Sequence, residues 1–126
     1  MARLYVVALD ARLPPWAETA CAEYAKRMPK GYQVARVEAI PKKTRIVALD
    51  ERGKDLDTVQ FADLLKTETA FVIGGADGLG PEVKARAAML LRLSSLTLPH
   101  ALAQVVLLEQ IYRAATLLTG HPYHRG

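Results

Sequence analysis

Three segments in the carboxyl-terminal half of the chain contain residues whose types and spacing could do chemistry. The first, 71–80, reads FVIGGADGLG, an apolar run that opens into a glycine-rich loop. Glycines let the backbone come close to a ligand, and ligands of parallel α/β sheets bind beyond the carboxyl ends of strands. The glycine spacing matches neither a Walker A motif nor a dinucleotide fingerprint. The segment therefore predicts a ligand-binding loop of another kind or, alternatively, a tight strand-to-helix turn.

The second segment, 93–100, reads LSSLTLPH and combines hydroxyl side chains with leucines. Backbone groups of an irregular stretch here could bind the edge of an adenine, while the leucines cover its face. The alternative is a plain edge strand that Pro99 ends before a helix.

The third segment is a long apolar helix, predicted at 101–118, with the tail 121–126 (HPYHRG). Arg125 could bind a phosphate, and Tyr123 or His124 could stack on a base; alternatively, the tail only docks on its own core. The helix is more apolar than a one-sided surface helix requires, which indicates burial on two sides, as in a dimer interface.

Two other chemistries find weaker support. His121 and His124, with His100 as a third ligand, could bind zinc, but no cysteine accompanies them. Ser94 and Ser95 could act with an aspartate and His100 in a hydrolase, but no nucleophile-elbow motif is present. Taken singly, each histidine is equally typical of a hydrogen-bonded structural residue. The charged residues around Lys84 are typical of a solvated helix face.

Strand-like and helix-like patterns alternate along the chain, which predicts an α/β domain with a mainly parallel sheet, spanning 1–126 as one unit. We predict strands at 4–9, 32–40, 45–50, 70–73 and 96–98, and helices at 16–28, 58–66, 81–91 and 101–118. Only Pro41–Thr44 join the second and third strands, although parallel neighbours need a crossover of about a dozen residues. These strands either form a hairpin or lack a crossover helix, and the connection at Lys66–Thr67 is similarly short.

Composition limits the class of protein. The 126 residues are 51% apolar and 24% charged, which is typical of a globular domain. No apolar run is long enough to span a membrane, and the apolar run at 4–9 is typical of a strand and not of a secretion signal. Cys21 is the single cysteine, which favours a reducing cytoplasm. The net charge of +4 permits contact with a polyanion.

The order of the motifs resembles one family. A Gly-Gly-x-x-Gly-Leu loop precedes Leu-Ser-x-Leu-Thr-Leu-Pro-His, then Glu-Gln-x-Tyr-Arg, then His-Pro-Tyr-His-Arg; here these are 74–79, 93–100, 109–113 and 121–125. The amino-terminal half adds Pro15-Trp16, Glu23-Tyr24 with Arg27, and Leu49-Asp50 followed by Gly53. The chain thus resembles the ribosomal RNA large-subunit methyltransferase H family, the pseudouridine N3-methyltransferases of the SPOUT superfamily.

The resemblance implies a SPOUT-type α/β fold with a mainly parallel sheet and a C-terminal trefoil knot, a rare exception to the usual rules of chain connection. It also implies a cytoplasmic homodimer in which the knot supplies the cofactor pocket and the interface, with no metal and no membrane partner. The implied reaction is methylation, by S-adenosyl-L-methionine, of N3 of a pseudouridine (position 1915, helix 69) in 23S rRNA of the assembled 70S ribosome.

The family's residues carry over onto matching positions. The implied cofactor-binding residues are Leu49, Gly74, Gly75, Leu93, Ser94, Ser95, Leu96, Thr97 and Leu98. The implied catalytic residues are His100, Tyr123, His124 and Arg125. We expect His100 or His124 to help the N3 proton leave, Arg125 to anchor phosphate and Tyr123 to orient the base.

The chain departs from the family pattern at a few positions. The family often has proline at position 101, where this chain has Ala101, and arginine at 104, where it has Gln104. Gly120 replaces an asparagine of some relatives. Two other functions stay open at this stage: a non-catalytic RNA-binding module with the same fold, and a flavodoxin-like enzyme for a small molecule. The second lacks a hydroxyl-rich loop after the first strand, where residues 10–14 read DARLP.

Overall fold

The computed structural model describes residues 2–9, 12–75 and 77–124. Five parallel strands form one sheet, in the spatial order β2-β1-β4-β3-β5. The strands are β1 (Ala2–Ala8), β2 (Tyr32–Val37), β3 (Arg45–Asp55), β4 (Thr69–Ile73) and β5 (Met89–Arg92). The helices are α1 (Pro15–Lys26), α2 (Thr58–Leu64), α3 (Pro81–Arg86) and α4 (His100–Thr119). The predicted mainly parallel α/β sheet is confirmed, whereas the trefoil knot stays a prediction.

Side chains alternate between the two faces of each strand, and both faces of the sheet are buried. Val6, Val47 and Phe71 belong to the larger core, which also contains residues from α1, α2 and α4. Val7 and Val72 belong to a smaller core on the opposite face. All five residues of β4 are buried, as is typical of the central strand of a parallel sheet.

Helix α4 is the longest helix of the described chain and packs against both α1 and α2. By length and composition alone it could cross a membrane. However, Leu107, Leu108 and Ile111 are fully buried in the larger core. Packing inside this domain therefore accounts for the apolar residues on the core-facing side of α4.

Of the two arrangements expected from the sequence for the connection between β2 and β3, the structure shows the second, because residues 38–44 contain no crossover helix. The two strands do not form a hairpin, and they are not neighbours, because β1 and β4 lie between them. Residues 38–44 must cross three strand spacings, about 14 Å, and also return to the amino-terminal edge of the sheet. A nearly extended segment is just long enough for this. Ile40 packs against the smaller core as the segment crosses it.

Two expected elements near the carboxyl-terminal end are wrong. The helix predicted at 81–91 ends at Arg86, because the Ala88 N–H donates to the Ile46 carbonyl (2.8 Å) and the chain continues as β5 beside β3. The strand predicted at 96–98 is an irregular segment. Residues 89–92 form the strand that pairs with β3 instead.

Lys43, in the β2–β3 connection, has a left-handed backbone (φ 59°). This conformation costs a non-glycine residue roughly 1–2 kcal/mol. Glycine at this position would avoid the cost, but its greater freedom in the unfolded chain would offset about half of the gain. We expect Lys43→Gly to raise the free energy of unfolding in urea by about 0.5–1 kcal/mol. The control is Lys42→Gly, which should lower it by a similar amount. Equal effects at the two positions would contradict the assignment of strain to Lys43.

Candidate functional site

The candidate site lies where three adjacent strands end. β4, β3 and β5 are neighbours and parallel, so their carboxyl ends meet at the same edge of the sheet. A cavity of about 920 Å³ opens there. It is lined by 49–52 from β3, by the glycine-rich loop, by 91–98 from β5 and the segment after it, and by Lys84, His100 and Ala103. All nine cofactor-binding residues expected from the sequence line this cavity.

The glycine-rich loop folds tightly on itself at the end of β4. The Gly78 N–H donates to the Gly75 carbonyl (2.9 Å), and Gly78 has a positive φ of 76°. A Cβ atom on Gly74 would lie 2.4 Å from the carbonyl carbon of Gly78. Only glycine fits at position 74 without movement of the backbone, so this loop requires its glycine for a steric reason.

The segment Leu93–Leu98 forms the opposite wall. It lies outside regular secondary structure, and the Ser94 hydroxyl accepts from the Leu96 N–H (2.9 Å), which makes a local turn. Leu96 is 75% exposed, whereas Leu93 and Leu98 are half-buried. The segment thus brings backbone polar groups and leucine side chains to the same cavity.

Charged residues of the cavity were missed by sequence reasoning. The Asp50 carboxylate accepts from the Arg52 N–H (2.8 Å) and lies 3.2 Å from Lys84 Nζ. The Arg52 N–H, with a further contribution from Lys84, holds the pKa of Asp50 below its ordinary value. Lys84, interpreted from the sequence as part of a solvated face, is therefore a cavity residue. Only the packing of α3 beside β3 could show this.

Position 53 explains how β3 reaches around the cavity. The pairing of β3 with β5 shifts between Leu49 and Lys54, both of which lie opposite Leu91. A Cβ on Gly53 would lie 2.6 Å from the backbone of Leu90 and Leu91. Glycine at 53 thus lets residues 50–53 bulge out of the strand toward the cavity.

His100 lies at the first position of α4 and lines the cavity. Its Nε2 atom is 3.0 Å from Nε2 of Gln104, one helical turn further on. Gln104 is only 2% exposed. The structure thus brings His100 together with the expected cofactor-binding residues.

The tail docks on the side of α4. The Tyr123 hydroxyl donates to Glu109 (2.8 Å), Arg113 donates to the same carboxylate (2.8 Å), and Arg113 NH1 lies 3.2 Å from His124 Nδ1. The Tyr123 ring packs edge-on against Tyr112, with ring centroids 4.7 Å apart. Arg125 lies outside the described residues. We call the group formed by Glu109, Arg113, Tyr123 and His124 the tail cluster.

The tail cluster holds Tyr123 in its neutral form. Burial, with the hydrogen bond to Glu109, raises the pKa of Tyr123 to about 12. The phenol therefore keeps its proton at neutral pH and acts as a donor. Glu109 is the residue around which the cluster forms, and only its place in the Glu-Gln-x-Tyr-Arg motif pointed to it.

The tail cluster and the cavity lie on opposite sides of α4. Glu109 is nine residues after His100, which corresponds to about 13 Å along the axis and half a turn around it. Of the tail, residues 121–124 are described, and none of these lines the cavity. Within one chain, therefore, the structure does not bring Tyr123 and His124 together with His100.

This geometry also excludes two alternatives. His121 and His124 follow the carboxyl-terminal end of α4, so His100 cannot join them around a zinc ion. Among residues 2–9, 12–75 and 77–124, no cluster of three possible metal-binding side chains occurs. A serine hydrolase needs a serine bonded to a base, but His100 is bonded to Gln104, and the Ser94 hydroxyl is bonded to a backbone N–H.

An open cavity at the carboxyl ends of a parallel sheet, with a glycine-rich loop as one wall, defines a ligand-binding α/β protein. A family model described as "Predicted SPOUT methyltransferase" matches residues 33–124. Proteins named "Ribosomal RNA large subunit methyltransferase H" are 46% identical in Paraburkholderia phymatum and 47% in Ralstonia nicotianae, and each match covers 98% of this chain and 99% of the relative. The chain therefore belongs to the SPOUT methyltransferases, in the ribosomal RNA large subunit methyltransferase H family.

Solved structures agree on the fold. The SpoU methyltransferase AviRb from Streptomyces viridochromogenes, in complex with AdoMet, is 15% identical with a TM-score of 0.58, over 94% of this chain and 59% of that one. A structure concerned with the 2-OH methylation of C/U34 on tRNA is 19% identical with a TM-score of 0.59, over 94% and 98%.

The curated relatives are longer than this chain. Their alignments extend over 154 positions, although this chain has 126 residues. The relatives therefore contain residues for which this chain has no counterpart. This agrees with the expectation that a segment such as a crossover helix is absent here.

We expect Gly74→Ala to weaken binding of S-adenosylhomocysteine at least thirtyfold, because the added methyl group would collide with the Gly78 backbone and force the loop open. Isothermal titration calorimetry measures this directly. The matched control is Gly80→Ala, since Gly80 has an ordinary φ of −70° and no atom within 4 Å of the added carbon. Equal losses at the two positions would show that the tight turn at Gly74 is unimportant.

Proposed function

We propose that this protein methylates N3 of a pseudouridine in helix 69 of 23S rRNA within the assembled ribosome, with S-adenosylmethionine as methyl donor. The observation that carries the proposal is the cavity, which is lined by all nine expected cofactor-binding residues and by His100. Family membership supports the reaction class, since the relatives are named as large-subunit rRNA methyltransferases. The AdoMet in the AviRb structure supports the choice of donor.

The cavity fits this methyl donor in size and in chemistry. Its volume of about 920 Å³ lies within the usual range for small-ligand sites. Leucines 49, 93 and 98 would cover the faces of an adenine, while backbone groups of the two loops would bind its edge. Asp50, Arg52 and Lys84 offer charges of both signs for the ammonium and carboxylate of the methionine part.

In this reaction the protein must position the methyl donor and the target base and must assist the loss of the N3 proton. When bound, S-adenosylmethionine supplies a methyl group that is already activated on a sulfonium. The two loops fix the donor, so that the target nitrogen can approach in line. In the transfer the N–CH₃ bond would form as the S–CH₃ bond breaks, which would leave S-adenosylhomocysteine, and the proton of N3 would pass to a nearby base or to water. His100 and His124 are the histidines available to assist that departure.

The separation of the cavity and the tail within one chain supports a homodimer. Leu102, Val106, Glu109 and Arg113 recur at helical spacing and share one face of α4. Leu102 is exposed, at the end of this face nearest the cavity. If two copies pack antiparallel along this face about a two-fold axis, the tail cluster of each lies near the amino-terminal end of the other's α4, the end that borders the cavity. The target base would then bind between the cavity of one copy and the tail of its partner.

The exposed Trp16 supports an interface as well. Trp16, in the first turn of α1, is 57% exposed in the single chain. Trp is strongly enriched among the residues that carry binding energy at interfaces. The exposure of Trp16 is therefore what we expect of a surface that binds RNA or a second copy of the chain.

The target is tested with 70S ribosomes that lack the modification. The purified protein and S-adenosylmethionine should add one methyl group to a pseudouridine of helix 69, as mass spectrometry of nuclease fragments will show. Protein-free 23S rRNA should be a poor substrate, and Gly74→Ala should be inactive on both. A methyl group at another site, or tight donor binding without methylation of any ribosomal RNA, would refute the proposed target.

The shared site is tested by mixing two inactive variants. Gly74→Ala damages the cavity and Tyr123→Ala damages the tail, so each homodimer should lose most of its activity. After subunit exchange, about half of the dimers are mixed, and each contains one intact site, which gives about a quarter of wild-type activity. Each variant exchanged with itself is the control. Activity of the mixture that stays at the level of these controls would show that the tail and the cavity act within one chain.

A further inference from the structure

We propose that Gln104 is a positioning residue, which holds His100 in the tautomer that has its proton on Nδ1. This inference deepens the proposed function, because it assigns His100 the role of hydrogen-bond donor in the cavity and excludes it as the base. It depends on the contact between the side chains of His100 and Gln104 in α4 and on the burial of Gln104.

Gln104 is unusual among the buried polar residues of the described chain. These are Thr69, Gln104 and Thr116. Thr69 bonds to the Leu64 and Thr67 carbonyls and Thr116 to the Arg113 carbonyl, so both satisfy backbone groups of the fold. Gln104 instead meets a side chain that lines the cavity. Burying an amide costs free energy unless it is hydrogen-bonded, and here the partner belongs to the candidate site.

The direction of this hydrogen bond follows from the atoms that meet. The amide nitrogen of Gln104 has protons and no available lone pair, so it can only donate. With the amide in this orientation, His100 Nε2, 3.0 Å away, accepts. An imidazole that accepts at Nε2 is neutral and has its proton on Nδ1. Arginine, which the family often has at position 104, also only donates, so the replacement by Gln104 keeps the direction of the bond.

The consequence concerns the proton of the target nitrogen. The Nε2 lone pair that His100 would need as a base is already used, and the ring offers only an N–H. Loss of the N3 proton places negative charge on the neighbouring carbonyl oxygens of the base. A fixed donor aimed at such an oxygen stabilises that charge as it develops. The proton itself passes to another acceptor, His124 of the second copy or water.

The tautomer is tested by ¹⁵N NMR of the free protein, which needs neither donor nor RNA. At about pH 8, above the ordinary pKa of histidine, long-range ¹H–¹⁵N spectra distinguish a protonated ring nitrogen from an unprotonated one. The His100 signals are assigned by their loss in His100→Asn. We expect Nδ1 protonated and Nε2 unprotonated. A protonated Nε2, or a rapid mixture of the two tautomers, would overturn the proposal.

Variants at position 104 separate donation from packing. Gln104→Glu can only accept and should move the proton of His100 to Nε2, whereas Gln104→Arg should keep it on Nδ1. Gln104→Met preserves the volume without the bond and should give mixed tautomers. Thr116→Val, which removes another buried polar group of α4, should leave the His100 signals unchanged. If Gln104→Glu keeps the wild-type tautomer, Gln104 does not set it.

The kinetic readout tests the role in the reaction. Gln104→Met and Gln104→Glu should lower kcat at least tenfold with little change in S-adenosylhomocysteine affinity. Gln104→Arg should retain most of the wild-type rate. An unchanged kcat in Gln104→Glu with a reversed tautomer would overturn the donor role. A chain that methylates no RNA but shows the expected tautomer in every variant would refute the proposed function, while the assignment of Gln104 as a positioning residue would stand.

Discussion

Parallel pairing of β4, β3 and β5 is the constraint on which the rest of this structure depends. Because the three strands run in the same direction side by side, the chain must leave each of them at the same edge of the sheet. Three connections with little in common, the bulge after Leu49, the glycine-rich loop and the segment after Arg92, are therefore neighbours. The cavity is the space between them, and any change that reversed one strand would remove one of its walls.

The second constraint is the length of α4, which joins two kinds of chemistry without bringing them together. Its first turn presents His100 to the cavity, with Gln104 buried behind it. Its middle and the tail that folds back on it form the cluster around Glu109, on the opposite side of the helix. A rigid helix cannot bend these groups toward each other. A protein that needs both for one reaction must therefore use two copies of the chain, and this links the proposed dimer to the proposed catalysis.

The short connection after β2 leaves the cavity intact for a simple reason. Residues 38–44 cross the sheet on the side of the smaller core, where Ile40 takes part in covering it. No residue of this connection lines the cavity. The short connection therefore affects how one face of the sheet is covered, and its energetic cost falls on the connection, at positions such as Lys43, and not on the loops that line the cavity.

The sequence by itself determined the α/β class and most of the strands and helices, because hydrophobic periodicity is a local property. The residues of both loops were expected from the resemblance of their motifs to one family. The motifs around Gly74 and Ser94 could be recognised without any structure, since their backbone shapes depend on a few consecutive residues. Only the tertiary structure decided that residues 89–92 pair with β3 as a strand, that Lys84 reaches Asp50, that Trp16 is exposed, and that His100 and Tyr123 lie on opposite sides of α4. Each of these depends on contacts between residues far apart in the chain, whose free energy no local pattern contains.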